Sequence, residues 1–121
     1  MASVLVVDDD PNARLLVTTL LAHAGHSAIA AADGAQGFEM AIACRPDLVM
    51  IDLAMPAMSG PEFIRSLRAD ERTRGTRVAL YTATEVDAAL RDFMAIYDIA
   101  GALPKPADPR RLLAEIEALL K

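Results

Sequence analysis

Residues Leu48-Val49-Met50-Ile51 are apolar at four successive positions and lead directly into Asp52. A run with no polar alternation has no face to offer to water, so it reads as a strand covered on both sides, the habit of a central strand in a parallel sheet. Val4-Leu5-Val6-Val7 repeats the pattern and ends in Asp8-Asp9-Asp10. In open α/β sheets ligands bind in the crevice outside the carboxyl ends of the strands. Two such strands lying side by side would therefore aim their acids into one pocket.

The remaining segments alternate around these two runs. Pro11 suits the first turn of a helix over 11–24, on which Leu16, Val17, Leu20, Leu21 and Ala24 recur at helical spacing until Gly25 stops it. His23 and His26 flank that stop and read as surface residues, since a helix C-terminus favours a nearby imidazolium. Ser27–Ala31 is a short strand, and Asp33-Gly34 opens a helix with Phe38, Ala41 and Ile42 on one side, ended by Arg45-Pro46. The central strand spans 47–52, a loop passes through Pro56, Ser59 and Gly60, and a helix over 61–69 carries Phe63, Ile64 and Leu67. Residues 70–76 read as a surface loop, Val78–Thr82 as a fourth strand and 86–97 as a fourth helix. A fifth strand near Ala102-Leu103 runs into Pro104-Lys105-Pro106, and Asp108-Pro109 opens a last helix with Leu112, Leu113, Ile116, Leu119 and Leu120 at core spacing.

Strands and helices that alternate through short loops imply right-handed crossovers and a single doubly wound, five-stranded parallel sheet with five flanking helices. Pro104 lacks an amide donor, which puts the fifth strand at a sheet edge. The fourth helix is apolar on more than one face: Leu90, Phe93 and Tyr97 fit a core stripe, leaving Ile96 and Met94 or Ala89 outside.

At 121 residues, 54% hydrophobic and 24% charged, the chain suits one domain over 1–121. A net charge of -5 argues against a face that neutralises nucleic-acid phosphates. The first apolar run is too short for a signal peptide or membrane span and has no basic residue before it, so a cytoplasmic location is expected. Cys44 stands alone, which excludes a disulfide framework within the chain and suggests a packing role.

The strand ends collect Asp8, Asp9, Asp52, Thr82 and Lys105. Carboxylates this close repel one another, and protonation or a hard cation must relieve the repulsion. Mg²⁺ suits such oxygen ligands. Three acids, one divalent ion and one lysine are nearly neutral by count, so the site can accept a phosphoryl group, and a carboxylate can serve as its acceptor. Asp52 is the expected nucleophile, with Lys105 pairing one phosphoryl oxygen and Thr82 donating to another.

Val6-Val7-Asp8-Asp9, Asp52 with Met55-Pro56 and Gly60, Thr82-Ala83, and Lys105-Pro106 together resemble the receiver domain of two-component response regulators, over about residues 3–120. The resemblance implies the flavodoxin-like strand order 2-1-3-4-5. It implies Mg²⁺ held by Asp8, Asp9, Asp52 and the backbone carbonyl of Ala54, and phosphoryl transfer to Asp52 from a histidine kinase or phosphotransfer protein. Self-catalysed phosphorylation and dephosphorylation, with no separate substrate, would make such a chain a signalling phosphoacceptor and not an enzyme. It further implies a cis peptide before Pro106, and a partner or second copy at the face made by the fourth helix, fifth strand and fifth helix. Ala54 and Thr84 resemble the positions that tune phosphoryl lifetime, and their small side chains predict no strong acceleration of hydrolysis. One position departs: the family usually carries Tyr or Phe three residues before the lysine, where this chain has Ala102.

Three other readings compete. A flavin module would want Gly, Ser and Thr after its first strand, where Asp8-Asp9-Asp10-Pro11 would repel a phosphate. An aspartate-based phosphohydrolase would want a second acid at Ala54. A receiver-fold scaffold that is never phosphorylated stays open.

Overall fold

Val4–Val7 and Leu48–Ile51, apolar throughout, become neighbouring strands with almost no exposure on either face. The computed structural model describes residues 2–54, 59–105 and 108–121. In chain order the elements are β1 (Ser3–Val7), α1 (Pro11–His23), β2 (Ser27–Ala31), α2 (Gly34–Cys44), β3 (Leu48–Ile51), α3 (Gly60–Ala69), β4 (Arg77–Thr82), α4 (Ala88–Ile96), β5 (Gly101–Pro104) and α5 (Pro109–Leu119). The strands form one sheet in the order β2-β1-β3-β4-β5, every neighbouring pair parallel. Pro104 does lie on an edge strand.

Successive side chains of a strand point to opposite faces, and each central strand divides accordingly. Leu5, Val7, Val49, Ile51, Val78 and Leu80 meet Phe63, Ile64 and Leu67 of α3 on one face. Val4, Val6, Leu48, Met50 and Ala79 meet Val17 and Leu21 of α1 and Leu112 and Ile116 of α5 on the other. Two helical layers are therefore required, as a run apolar at every position demands.

Each helix starts on a side chain that accepts an otherwise orphaned amide. Asp10 caps α1 at Asn12, Asp33 caps α2 at Gln36, Ser59 caps α3 at Glu62, Asp87 caps α4 at Leu90 and Asp108 caps α5 at Arg111. Such a cap contributes about 1 kcal/mol. The Asp87 cap sets the start of α4 two residues later than periodicity alone suggests.

Several expectations are corrected. Leu16 lies outside the packed stripe of α1: it is 36% exposed and Leu15 66%, while Val17 and Leu21 are buried. The helix is apolar around most of its circumference, so its pattern does not single out the one stripe, at i and i+4, that meets the sheet. His26 is no surface residue; its Nδ1 accepts the Ala2 amide and its Nε2 pairs with the Glu117 carboxylate, each at 3.1 Å, tying the start of β1 to α5. Cys44 is exposed at the open end of α2 and does not pack. On α4, Ile96 is 74% exposed as expected, whereas Met94 packs against the core. The loop at 70–76 is not wholly superficial, because Thr73 is buried and donates its hydroxyl to the Leu67 carbonyl at 2.8 Å.

Arg68 holds that loop and the far end of α4 together. Its guanidinium donates to the carbonyls of Tyr97 (2.8 Å), Arg74 (2.9 Å), Thr76 (2.5 Å) and Asp98 (3.1 Å). Burial lowers its pKa without threatening its charge. Among the described residues no helix is long and apolar enough to cross a membrane. The Lys105–Pro106 peptide, expected to be cis, and the Met55-Pro56 step lie outside the described residues.

Gly37 lets α2 approach the sheet closely: a Cβ there would lie 2.8 Å from a Val7 methyl and 3.2 Å from Phe63. Overpacking of this kind costs about 1–3 kcal/mol. Gly37→Ala should lose that much in urea denaturation, whereas Gly75→Ala, whose Cβ would meet nothing within 4 Å, should stay within about 0.5 kcal/mol of the parent.

Candidate functional site

The pairing of β1 with β3 sets Val7 opposite Ile51, so Asp8 and Asp52 leave the sheet at one level. Their amides continue the ladder by one rung: Asp8 N donates to the Ala31 carbonyl and Asp52 N to the Val7 carbonyl, both at 3.1 Å. Lys105 is placed the same way, its amide donating to the Thr82 carbonyl at 3.1 Å. The backbone positions of the three residues thus come from register, before any side-chain contact is made.

Those side chains then meet. The Lys105 ammonium donates to Asp8 Oδ2 at 2.5 Å and to Asp52 Oδ2 at 3.1 Å. To reach them it crosses the end of β4, where it lies 5.1 Å above the Tyr81 ring, a distance suited to a cation–π contact. One oxygen each from Asp8, Asp9 and Asp52 lies within 4.8 Å of the others. The carboxylates of Asp8 and Asp52 are 2% and 12% exposed, whereas Asp9 is open to solvent.

The charges do not cancel. Burial raises the Asp8 carboxyl, Asp52 adds repulsion, and the bonds from Lys105 and the Asp10 amide (2.9 Å) only partly oppose them. Burial alone would lower Lys105; its hydrogen bonds to Asp8 and Asp52 outweigh that and raise it, so the ammonium is retained. Burial also raises the Tyr81 hydroxyl.

Two further contacts shape the backbone just after β3. The Ala54 amide donates to Asp52 Oδ1 at 3.3 Å, which sets the peptide after Leu53 beside the carboxylate. Gly60 packs on the same loop; a Cβ there would lie 2.6 Å from Leu53 Cα and 2.7 Å from the Asp52 carbonyl oxygen. Any side chain at 60 would displace Asp52 and Leu53.

Thr82 is buried at the end of β4, its hydroxyl engaged with Thr84. Ala102 packs partly against the core, and beside it Thr82–Val86 and Ala102–Lys105 line a cleft of about 310 Å³. The sequence-predicted residues Asp8, Asp9, Asp52 and Lys105 are thus brought together, with Thr82 at the neighbouring strand end. Sequence reasoning did not pick out Arg14, whose guanidinium donates to the Asp8 carbonyl at 2.7 Å and so braces the acidic turn. Its place one turn into the helix after Asp10 was the available signal. Nor did it foresee Tyr81 as the floor beneath Lys105.

Comparison with known proteins bears on the family and the fold. The sequence profile of the response regulator receiver domain matches residues 4–117. The DNA-binding dual master transcriptional regulator RpaA of Synechocystis is 37% identical over 124 residues, covering 100% of this chain and 50% of that protein, so the chain spans half the length of that relative. PilH of Pseudomonas aeruginosa is 33% identical over 122 residues, covering 99% of this chain and 98% of that protein. The structure of the chemotaxis protein CheY4 of Vibrio cholerae superposes with a TM-score of 0.91 at 31% identity, covering 98% of each chain. A profile match along almost the whole chain, and the same fold at that identity, establish that the chain belongs to the receiver-domain family of two-component response regulators.

Proposed function

We propose that this chain accepts a phosphoryl group on Asp52 in a Mg²⁺-dependent reaction with a histidine kinase or phosphotransfer protein, and passes the signal on by protein–protein contact. The observation that carries the reading is the Lys105 ammonium bridging Asp8 and Asp52 at 2.5 and 3.1 Å, beside a third carboxylate. A site with more acid than it can neutralise suits a hard cation, and the chemistry of the donor set fits one. Asp8, Asp9, Asp52 and the Ala54 carbonyl would hold Mg²⁺, which when bound supplies charge neutralisation for the incoming phosphoryl oxygens.

The protein's own residues divide the remaining work. An Asp52 oxygen attacks phosphorus as the bond to the donor's imidazole nitrogen breaks, giving an acyl phosphate on Asp52. Lys105 turns from the carboxylates to a phosphoryl oxygen, and the Thr82 hydroxyl donates to another. Gly60 and the Ala54 amide keep the acceptor loop in place. Ile96 on α4 is exposed, and the face made by α4, β5 and α5 is where a partner or second copy would dock. The donors belong to the cytoplasm, and neither DNA nor a membrane is needed for this chain's part.

Incubation with acetyl phosphate and Mg²⁺ should add one phosphoryl group by intact mass, and Asp52→Asn should abolish the gain. Absence of any gain in the parent protein would favour the scaffold reading instead. Ala54 and Thr84 place no acid or amide where an attacking water could be oriented, so the phosphoprotein should not decay within seconds when followed by phosphate release. The site also predicts a pH dependence. Burial raises Asp8 above its ordinary 3.8, so the folded protein binds that proton more tightly than the unfolded chain. This carboxyl therefore favours folding at low pH and opposes it as pH rises through the raised value. Removing Lys105 raises Asp8 further. In metal-free buffer Lys105→Met should be about 2 kcal/mol less stable than the parent at neutral pH and regain most of that by about pH 4, as followed by denaturant titration.

A further inference from the structure

The Thr82 hydroxyl is already engaged in this structure. Its oxygen accepts the Thr84 amide at 3.2 Å, and the two hydroxyls share a hydrogen bond at 3.1 Å. Thr82 Oγ1 is the donor in that pair, so its single proton lies toward Thr84 Oγ1. To donate to anything beyond β4, Thr82 must leave this partner. Thr82 is buried and Thr84 exposed, so two residues connect the pocket floor to the surface.

The segment from Thr84 into α4 is lightly held. Residues 83–85 are exposed, Val86 is half-buried, and α4 has no fully buried residue. Across from the loop, Ala102 brings only a methyl to the cleft of about 310 Å³ that Thr84, Glu85 and Val86 share with β5. The loop has space beside it, and no bulky side chain at 102 restrains it.

Resting on the phosphoacceptor reading, we propose that Thr84 is a positioning residue for Thr82, holding its hydroxyl in the unphosphorylated domain and releasing it, with the 83–87 loop, when Thr82 bonds the phosphoryl group. Thr84 competes with the phosphoryl group for one hydroxyl, so weakening the Thr84 contact favours the phosphorylated arrangement.

The test uses Mg²⁺ with beryllofluoride as the phosphoryl mimic, on the intact chain and on Thr84→Ala and Thr84→Ser. Loss of one neutral hydrogen bond corresponds to about a five-fold change, so Thr84→Ala should bind the mimic about five-fold more tightly, and Thr84→Ser should restore the parent affinity. In the parent, amide shifts on binding should extend through 83–88, and in Thr84→Ala the free protein should already show part of that shift. Equal affinity in the parent and Thr84→Ala, or parent shifts that bypass 83–88, would overturn the role of Thr84 while leaving the phosphoacceptor intact. Failure of the parent to bind beryllofluoride, together with no mass gain from acetyl phosphate, would overturn both.

Discussion

One ammonium shared between two carboxylates is the interaction on which the rest of this molecule turns. Lys105 joins the end of β5 to the ends of β3 and β1, across β4, and thereby draws the site end of the sheet together. It does so without achieving neutrality, since Asp9 adds a third acid within 4.8 Å and burial raises Asp8. A group that bridges partners it cannot fully satisfy is a group that can be drawn away. Losing one partner of such a pair is costly, yet the pair as a whole adds little over well-packed apolar groups and is suited instead to an exchange of partners.

The scaffold tolerates that imbalance because its own cohesion lies elsewhere. Val4–Val7 and Leu48–Ile51 are buried on both faces, and the two helical layers, α2 to α4 on one side and α1 with α5 on the other, each meet alternate residues of the same strands. Five side-chain caps fix where the helices begin. The acids stand one residue beyond this frame and are held to it by backbone amides. Changing their charge should therefore alter the site far more than the fold.

This separation explains why parts of the molecule were legible in the amino-acid sequence and others were not. Apolar runs without alternation specify buried parallel strands, and the residue after each run falls at the ligand-binding edge, so Asp8, Asp52 and Lys105 could be placed from position alone. His26 could not, because its partners, Ala2 and Glu117, are 24 and 91 residues away and only the fold brings them near. Leu16 and Cys44 misled for a different reason. A helix apolar on several sides does not show which stripe meets the sheet, nor which terminal residue is left open. Arg68 carried no signal, since an arginine whose partners are four backbone carbonyls leaves no complementary residue in the sequence.

Arg68 also gives α4 an asymmetry that bears on output. The far end of the helix is pinned: its guanidinium grips the Tyr97 and Asp98 carbonyls, Arg65 lies 5.9 Å from the Phe93 ring, and Phe93 and Tyr97 pack with centroids 4.7 Å apart. The near end hangs on the Asp87 cap and the exposed loop after Thr84. A rod pinned at one end would convert a displacement at the other into a pivot; the exposed Ile96 lies close to the pinned end, and Ala88 and Ala89 lie farthest from it. Were Asp52 phosphorylated as proposed, a partner that distinguishes its two states would gain most by contacting the first turn of α4, with Ile96 as a fixed point common to both.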